Sequence, residues 1–275
     1  MFLLFFMLRF PNAKINLGLH ILRKRADGYH DIETCFYPVN CCDALEIVKA
    51  EKFQFDLTGL SVAGDAADNL CSKAFHLLQA DFKLKPVHMH LHKVIPMGAG
   101  LGGGSADAAI ALQMLNEIFD LGLNSHQLKS YADKLGSDCA FFIDNKPALG
   151  QGRGNELSAV DISLKGKYIF IVKPDVHVST AAAYAGVTPA IPAISLTEVL
   201  KQPIHYWKEN LVNDFEPSVF AQYPEIKKIK EQLYEGGALY ASMSGSGAAV
   251  FGVFNEPPDV KPYSTHAQWL GKAMY

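Results

Sequence analysis

The chain has little cysteine: five among 275 residues, at Cys35, Cys41, Cys42, Cys71 and Cys139. None forms a CxxC pair or falls at metal-ligand spacing, which speaks against a thiolate metal site. An odd number with no framework speaks against a disulfide scaffold and suits a reducing cytoplasm. Long apolar runs are lacking too. The opening MFLLFFMLRF carries an apolar run of about eight residues, where a membrane helix needs roughly twenty. A secretory signal would place its charge before such a run, and here Arg9 follows it. Residues 1–6 read either as a leading extension, with Met7 as the older start, or as part of an ordinary first strand. Charge of one sign is scarce: the net charge is −3 with His neutral, and no long basic block occurs. A nucleic-acid surface is therefore not expected. Internal repeats and low-complexity tracts are absent.

What remains is a globular composition, about half apolar and a fifth charged. The length allows one large domain or two modest ones. Residues 13–22 alternate as a strand, and 43–57 continue with strand-like segments. Residues 87–95 (VHMHLHKVI) alternate strictly, with Val87, Met89 and Leu91 on one face and His88, His90 and His92 on the other. Those histidines read as a solvated strand face, because no Asp, Glu or Cys stands near them in sequence to complete a metal set. A helix is expected from Ser105, with Ala108, Leu112, Leu115 and Phe119 on one face and Gly122 closing it. A second is expected over 125–135. YIFIVKP (168–174) reads as an apolar strand, Thr180 opens an alanine-rich helix, and the proline-bearing 189–203 reads as a loop. The segment 224–234 is predicted helical, with Pro224 in its first turn. Residues 238–254 read as strand, glycine loop, strand. Helices and strands mix without sustained βα alternation, which favours α+β. The division falls near 150–154, giving domains 7–154 and 155–275.

The most informative segment is PMGAGLGGGSADAA (96–109), a glycine-rich link from a strand to a helix N-terminus. Glycine permits close backbone approach, and the first helical N–H groups lack internal partners; together they suit an anion, phosphate above all. Ser105 is expected as the N-cap. The Walker pattern fails, because Gly104 stands where its lysine belongs. A Rossmann GxGxxG fits at Gly98, Gly100 and Gly103, but no strand follows to carry its acidic residue. A plain glycine hinge is the remaining reading from the residues alone. Serine hydrolase chemistry is not supported, since the window around Ser246 is SGSGA and not GxSxG.

Pro96–Ala106 resembles the phosphate motif of the GHMP kinases along its whole length. AKINLGL (13–19) is similar to the family's opening lysine-bearing strand, and SMSGSGAAVFGVF (242–254) to its late glycine loop. RADGYHDIET (25–34), LGSDCAFF (135–142), KPDVHVSTAAAY (173–184) and DNL (68–70) resemble segments of the branch acting on cytidine-diphosphate methylerythritol. Ala140 departs from the proline common at its position.

The resemblance implies a two-domain fold, a ribosomal protein S5 domain 2-like N-terminal domain and an α/β-sandwich C-terminal domain, with the active site in the cleft between them. It implies ATP and Mg²⁺, a small-molecule acceptor phosphorylated on its 2-hydroxyl in non-mevalonate isoprenoid precursor biosynthesis, and a cytoplasmic monomer or weak homodimer without nucleic-acid or membrane partners. Asp138 becomes the candidate base and Lys14 its partner through the resemblance; by their own chemistry they read rather as a helix cap and a solvated strand charge. ATP is expected at Asn69, Leu70, Lys93, Pro96, Gly98, Gly100, Leu101, Gly102, Gly103, Gly104 and Ser105. The acceptor is expected at Asn16, Tyr29, His30, Thr180, Tyr184, Gly245 and Ser246, with Tyr29 and Tyr184 on the two faces of the cytosine. The alternatives are another small-molecule kinase of the group, for homoserine, mevalonate or a sugar, and a nucleotide-binding module without catalysis.

Overall fold

The computed structural model describes residues 6–61 and 66–275. In chain order the strands are β1 (Phe6–Arg9), β2 (Asn12–Lys24), β3 (His30–Cys42), β4 (Ala44–Lys49), β5 (Gln54–Gly59), β6 (Val87–Lys93), β7 (Ala148–Gln151), β8 (Glu156–Ala159), β9 (Tyr168–Lys173), β10 (Tyr240–Met243), β11 (Val250–Phe254) and β12 (Ala267–Lys272). The helices are α1 (Leu70–Phe82), α2 (Gly103–Ile118), α3 (Ser125–Ala132), α4 (Phe141–Asp144), α5 (Thr180–Ala185), α6 (Leu196–Leu200), α7 (Trp207–Asn210), α8 (Glu216–Gln222) and α9 (Pro224–Glu235). The chain divides into two compact units: Met1–Ala13, Cys41–Met97 and Gly102–Lys146 form the first, and Lys14–Asn40, Gly98–Leu101 and Pro147–Tyr275 the second. The division expected at 154/155 falls in the turn between β7 and β8, two strands that pair with each other.

The first unit holds a sheet of order β1-β4-β6-β5, antiparallel except for the parallel β5–β6 pair. β6 follows the alternation read from the sequence: Val87, Met89 and Leu91 are buried, and the histidines face the other way. There His88 pairs with Asp56 at 2.8 Å, and His90 and His92 both meet the Thr58 hydroxyl. Among the described residues no cluster of His, Cys, Asp or Glu is arranged for a metal ion. The reading of residues 1–6 lies outside the described residues, save that β1 begins at Phe6.

The second unit holds two sheets, β2-β3-β7-β8 and β10-β11-β9-β12. Phe170, Val172, Ala241 and Val250 of the latter pack with Phe215, Ile226 and Leu233 from the helical side. Pro224 opens α9 in its first turn as predicted. Residues 189–203 are not wholly a loop: α6 forms within them because Ser195 and Glu198 make a capping box. α3 ends at Ala132, three residues short of the expected 135. The mixture of mainly antiparallel sheets with helices is the expected α+β architecture.

Candidate active site

The glycine-rich link leaves β6 and enters α2, and its backbone explains the glycines. Gly100 has φ +74°, and a Cβ there would stand 1.9 Å from the Ser244 carbonyl oxygen. Gly102 has φ +71° and is the N-cap of α2, with no side chain capping the helix. The expected cap is thus corrected: Ser105 lies inside the first turn, because only glycine at 102 tolerates the left-handed conformation at no steric cost. The first amides of α2 have no side-chain cap, which is what an anion site requires.

Around that helix start the first unit gathers several of the predicted residues. Gly104 lies against Leu70, a Cβ there being 3.9 Å from the Leu70 methyl. Asn69 caps α1, its side chain accepting from the Cys71 amide at 2.9 Å. Asp138 is half-buried in the turn between α3 and α4. A Cβ on neighbouring Gly136 would meet Cys139 Sγ at 3.3 Å and Ser105 Oγ at 4.0 Å, so the Asp138 turn and Ser105 are neighbours. Burial pushes the Cys139 thiol up to about 12, against the hydrogen bond from Ser105, so it stays an unreactive thiol.

Lys93 requires a correction. Its side chain is 1% exposed, and its ammonium donates to Asp43 and, at 2.8 Å, to Asp107. The other Asp43 oxygen accepts the Val94 and Ile95 amides at 2.6 and 2.8 Å. The side chain expected to meet ATP is instead the centre of a buried ion triad that ties the end of β6 to the first turns of α2. Neither carboxylate was anticipated. A signal existed: Lys93 continues the buried alternation of Val87, Met89 and Leu91, and Asp107 precedes the buried Ala111 and Leu115 by one and two helical turns.

Asp107 carries the electrostatic cost of the triad. Burial pushes its carboxyl from an ordinary 3.8 up to about 7, against the pull of Lys93 and with the push of Asp43. Its Oδ1 is buried without a hydrogen-bond partner among the described residues. From about pH 4 to about 7 the folded protein therefore holds more proton at this group than the unfolded chain does, so its contribution to stability falls as pH rises through that window. Asp107→Asn cannot titrate. Urea unfolding at a series of pH values is expected to show wild-type stability, relative to this variant, dropping between pH 5 and 8. A difference independent of pH would mean that Asp107 titrates normally.

The second unit gathers the rest. Lys14, 3% exposed, donates to Asn16 Oδ1 at 2.7 Å and to the Gly100 carbonyl at 3.0 Å, with its ammonium 5.3 Å from the centre of the Phe36 ring. It is not a solvated strand charge. Asn16 in turn donates to Thr34 Oγ1 at 2.9 Å. Ser244 donates to the same Gly100 carbonyl at 2.8 Å, so the late glycine loop meets this cluster as well. Beside Ser244, Gly245 lies with its Cβ direction 3.2 Å from Gly100 Cα. Thr180 Oγ1 lies 3.1 Å from Ser246 Oγ. His30 stacks on Tyr184 with ring centres 4.8 Å apart and planes at 18°. Tyr29 is 58% exposed, and the Arg153 guanidinium lies 5.0 Å from the centre of its ring.

The family model described as "GHMP kinases N terminal domain" matches residues 69–146, and that described as "GHMP kinases C terminal" matches 196–262. A 4-diphosphocytidyl-2-C-methyl-D-erythritol kinase of Parabacteroides distasonis is 52% identical over 269 residues, 97% of this chain and 99% of the relative. The chain belongs to the GHMP kinases. A second relative of that name, from Bacteroides thetaiotaomicron, is 54% identical over 260 residues, 93% of this chain and 94% of its own length. A crystal structure of 4-(cytidine 5'-diphospho)-2C-methyl-D-erythritol kinase superposes with TM-score 0.82 at 28% identity, covering 96% of this chain and 98% of the other. The Methanococcus jannaschii mevalonate kinase shares the fold, with TM-score 0.69 at 12% identity and 98% of each chain covered. This GHMP kinase accordingly has the two-domain kinase fold of its family, and membership implies ATP as phosphate donor and a small-molecule acceptor. Among the described residues no helix is long and apolar enough to cross a membrane.

Proposed function

We propose that this kinase transfers the γ-phosphoryl group of ATP to the 2-hydroxyl of 4-diphosphocytidyl-2-C-methyl-D-erythritol, a step of non-mevalonate isoprenoid precursor biosynthesis. The observation that carries the reading is the likeness, at 52% identity over 97% of the chain, to a kinase named for that substrate. The stacked rings of His30 and Tyr184 support it, since flat rings bind a base with little loss of conformational freedom.

In this reading the first amides of α2 and the backbone from Gly98 to Gly104 receive the triphosphate. Asp138 accepts the proton of the attacking hydroxyl. Lys14, already desolvated, supplies positive charge where the transferred group gains negative charge. Magnesium fits the residues present: Ser105 offers a hydroxyl in the first turn of α2, and this ion is held mainly by nucleotide phosphates and water with one or two protein groups. Ser105 would hold it, and the ion would neutralise phosphate charge. Gly245, Ser246, Thr180 and Asn16 line the acceptor.

The purified enzyme is expected to turn over the cytidine compound with ATP and Mg²⁺, and to leave mevalonate, homoserine and galactose unreacted. ADP release coupled to phosphorus NMR of the product checks both the acceptor and the phosphorylated hydroxyl. Turnover of mevalonate or homoserine in place of the cytidine compound would overturn the assignment.

A further inference from the structure

The segment Val212–Glu216 (VNDFE) matches none of the motifs read from the sequence, yet it is stitched to two elements of the second unit. Its backbone runs beside β2: the Leu19 amide donates to the Val212 carbonyl, and the Asp214 amide to the Leu19 carbonyl, each at 2.9 Å. The Asp214 carboxylate accepts the Ile21 amide at 2.8 Å and lies 3.4 Å from His20. On the other side Glu216 accepts from Ser242 Oγ and the Met243 amide at 3.0 and 2.9 Å. β2 is the strand that carries Lys14 and Asn16, and β10 leads straight into the turn Ser244–Gly247.

Asn213 sits at the middle of this clamp and is 2% exposed. Its Nδ2 donates to the Met243 and Gly245 carbonyls, both at 2.8 Å, while its Oδ1 accepts the Phe215 amide at 3.0 Å. The demand is specific: two protons from one nitrogen for two carbonyls, and an acceptor on the opposite side. An amide meets it, a carboxylate would set oxygen against oxygen, and a hydroxyl has one proton only. Between these two carbonyls and Gly247 the chain makes its tight turn, with Gly245 at φ +55° and Gly247 at φ +90°.

We propose that Asn213 is a positioning residue for the acceptor: its amide holds the Ser244–Gly247 turn in the shape in which Gly245 and Ser246 meet the substrate. This rests on the reading of the acceptor site given above. Loss of the amide leaves the buried Gly245 carbonyl without its donor and the Met243 carbonyl with only the long 3.4 Å contact from Ser242 Oγ, which frees the turn to move. In that reading Gly245 and Ser246 meet the acceptor directly, whereas the turn reaches the triphosphate loop only by packing on Gly100, so the acceptor KM should respond more strongly than the ATP KM.

The test compares Asn213→Ala, the milder Asn213→Ser and wild type by steady-state kinetics and by amide hydrogen exchange. For Asn213→Ala the acceptor KM is expected to rise about tenfold or more, while the ATP KM stays within about twofold. Asn213→Ser, which keeps one donor, should fall between. Exchange at residues 244–247 should quicken in both variants while the β9 amides keep their protection. Should Asn213→Ala fail to fold, Asn213→Ser carries the comparison alone. An unchanged acceptor KM with only a lowered melting temperature overturns the proposal, as does an equal rise of both KM values. If wild type does not phosphorylate the cytidine compound, the functional reading fails, and the exchange measurement then decides for Asn213 by itself. Unchanged exchange at 244–247 would leave the amide no part in shaping the turn.

Discussion

Asp138→Asn is expected to lower kcat by about a hundredfold to ten-thousandfold, the usual contribution of a positioned general base, while KM for both substrates changes far less. The substitution keeps shape and removes the proton acceptor, so an interaction made in the transition state is lost and ground-state binding is not. Lys14→Met should also act on kcat. The double variant should be little worse than the worse single one, because groups that serve one step do not add. The competing account makes Asp138 a helix cap, worth about 1 kcal/mol. The N-cap position of α4 is taken by Ala140, two residues after Asp138. Steady-state kinetics and thermal unfolding on the same variant separate the two. A near-normal kcat with a lowered melting temperature would remove Asp138 from catalysis.

Lys93→Met should destabilise the protein by about 3–5 kcal/mol, the usual cost of removing one partner from a buried ion pair. The methionine fills similar space, so the loss is electrostatic. Asp43 and Asp107 would then face each other in the interior without their cation, and the Asp107 carboxyl would be driven further toward protonation. Stability of the variant should therefore recover in part as pH falls. Burial alone would lower the Lys93 pKa, but Asp107 and Asp43 together outweigh it and raise it, so the cation is present throughout the neutral range. Chemical denaturation from pH 5 to 8 provides the measurement. If Lys93 instead touched nucleotide through its side chain, the variant would keep its unfolding midpoint and raise the ATP KM, and that outcome would return Lys93 to the ATP site.

Local features were legible where one face of an element decides its fate. The β6 alternation set its register, and Pro224 marked the start of α9. The motif Ser195–Glu198 that caps α6 is equally local, but the prolines around it make 189–203 read as a loop. The cap of α2 was misplaced by three residues, since a serine side chain is a visible cap and a left-handed glycine is not.

The sequence by itself pointed to the kinase family through the resemblance of three ordered segments, 13–19, 96–106 and 242–254, to the family's motifs, and glycine suits such loops because it lets the backbone approach a phosphate. It also determined the mixed α+β architecture. Only the tertiary structure decided what the buried polar residues do. Lys93 is a lysine in either role, and it became structural when the fold brought Asp43 and Asp107, fifty residues before it and fourteen after it, to its ammonium. Asn213 belongs to no motif in the sequence, and its part emerges only where its amide lies between the Met243 and Gly245 carbonyls. The reason is common to both: a polar side chain is committed by its hydrogen-bond partners, and partners distant along the chain leave no periodicity for a sequence to display.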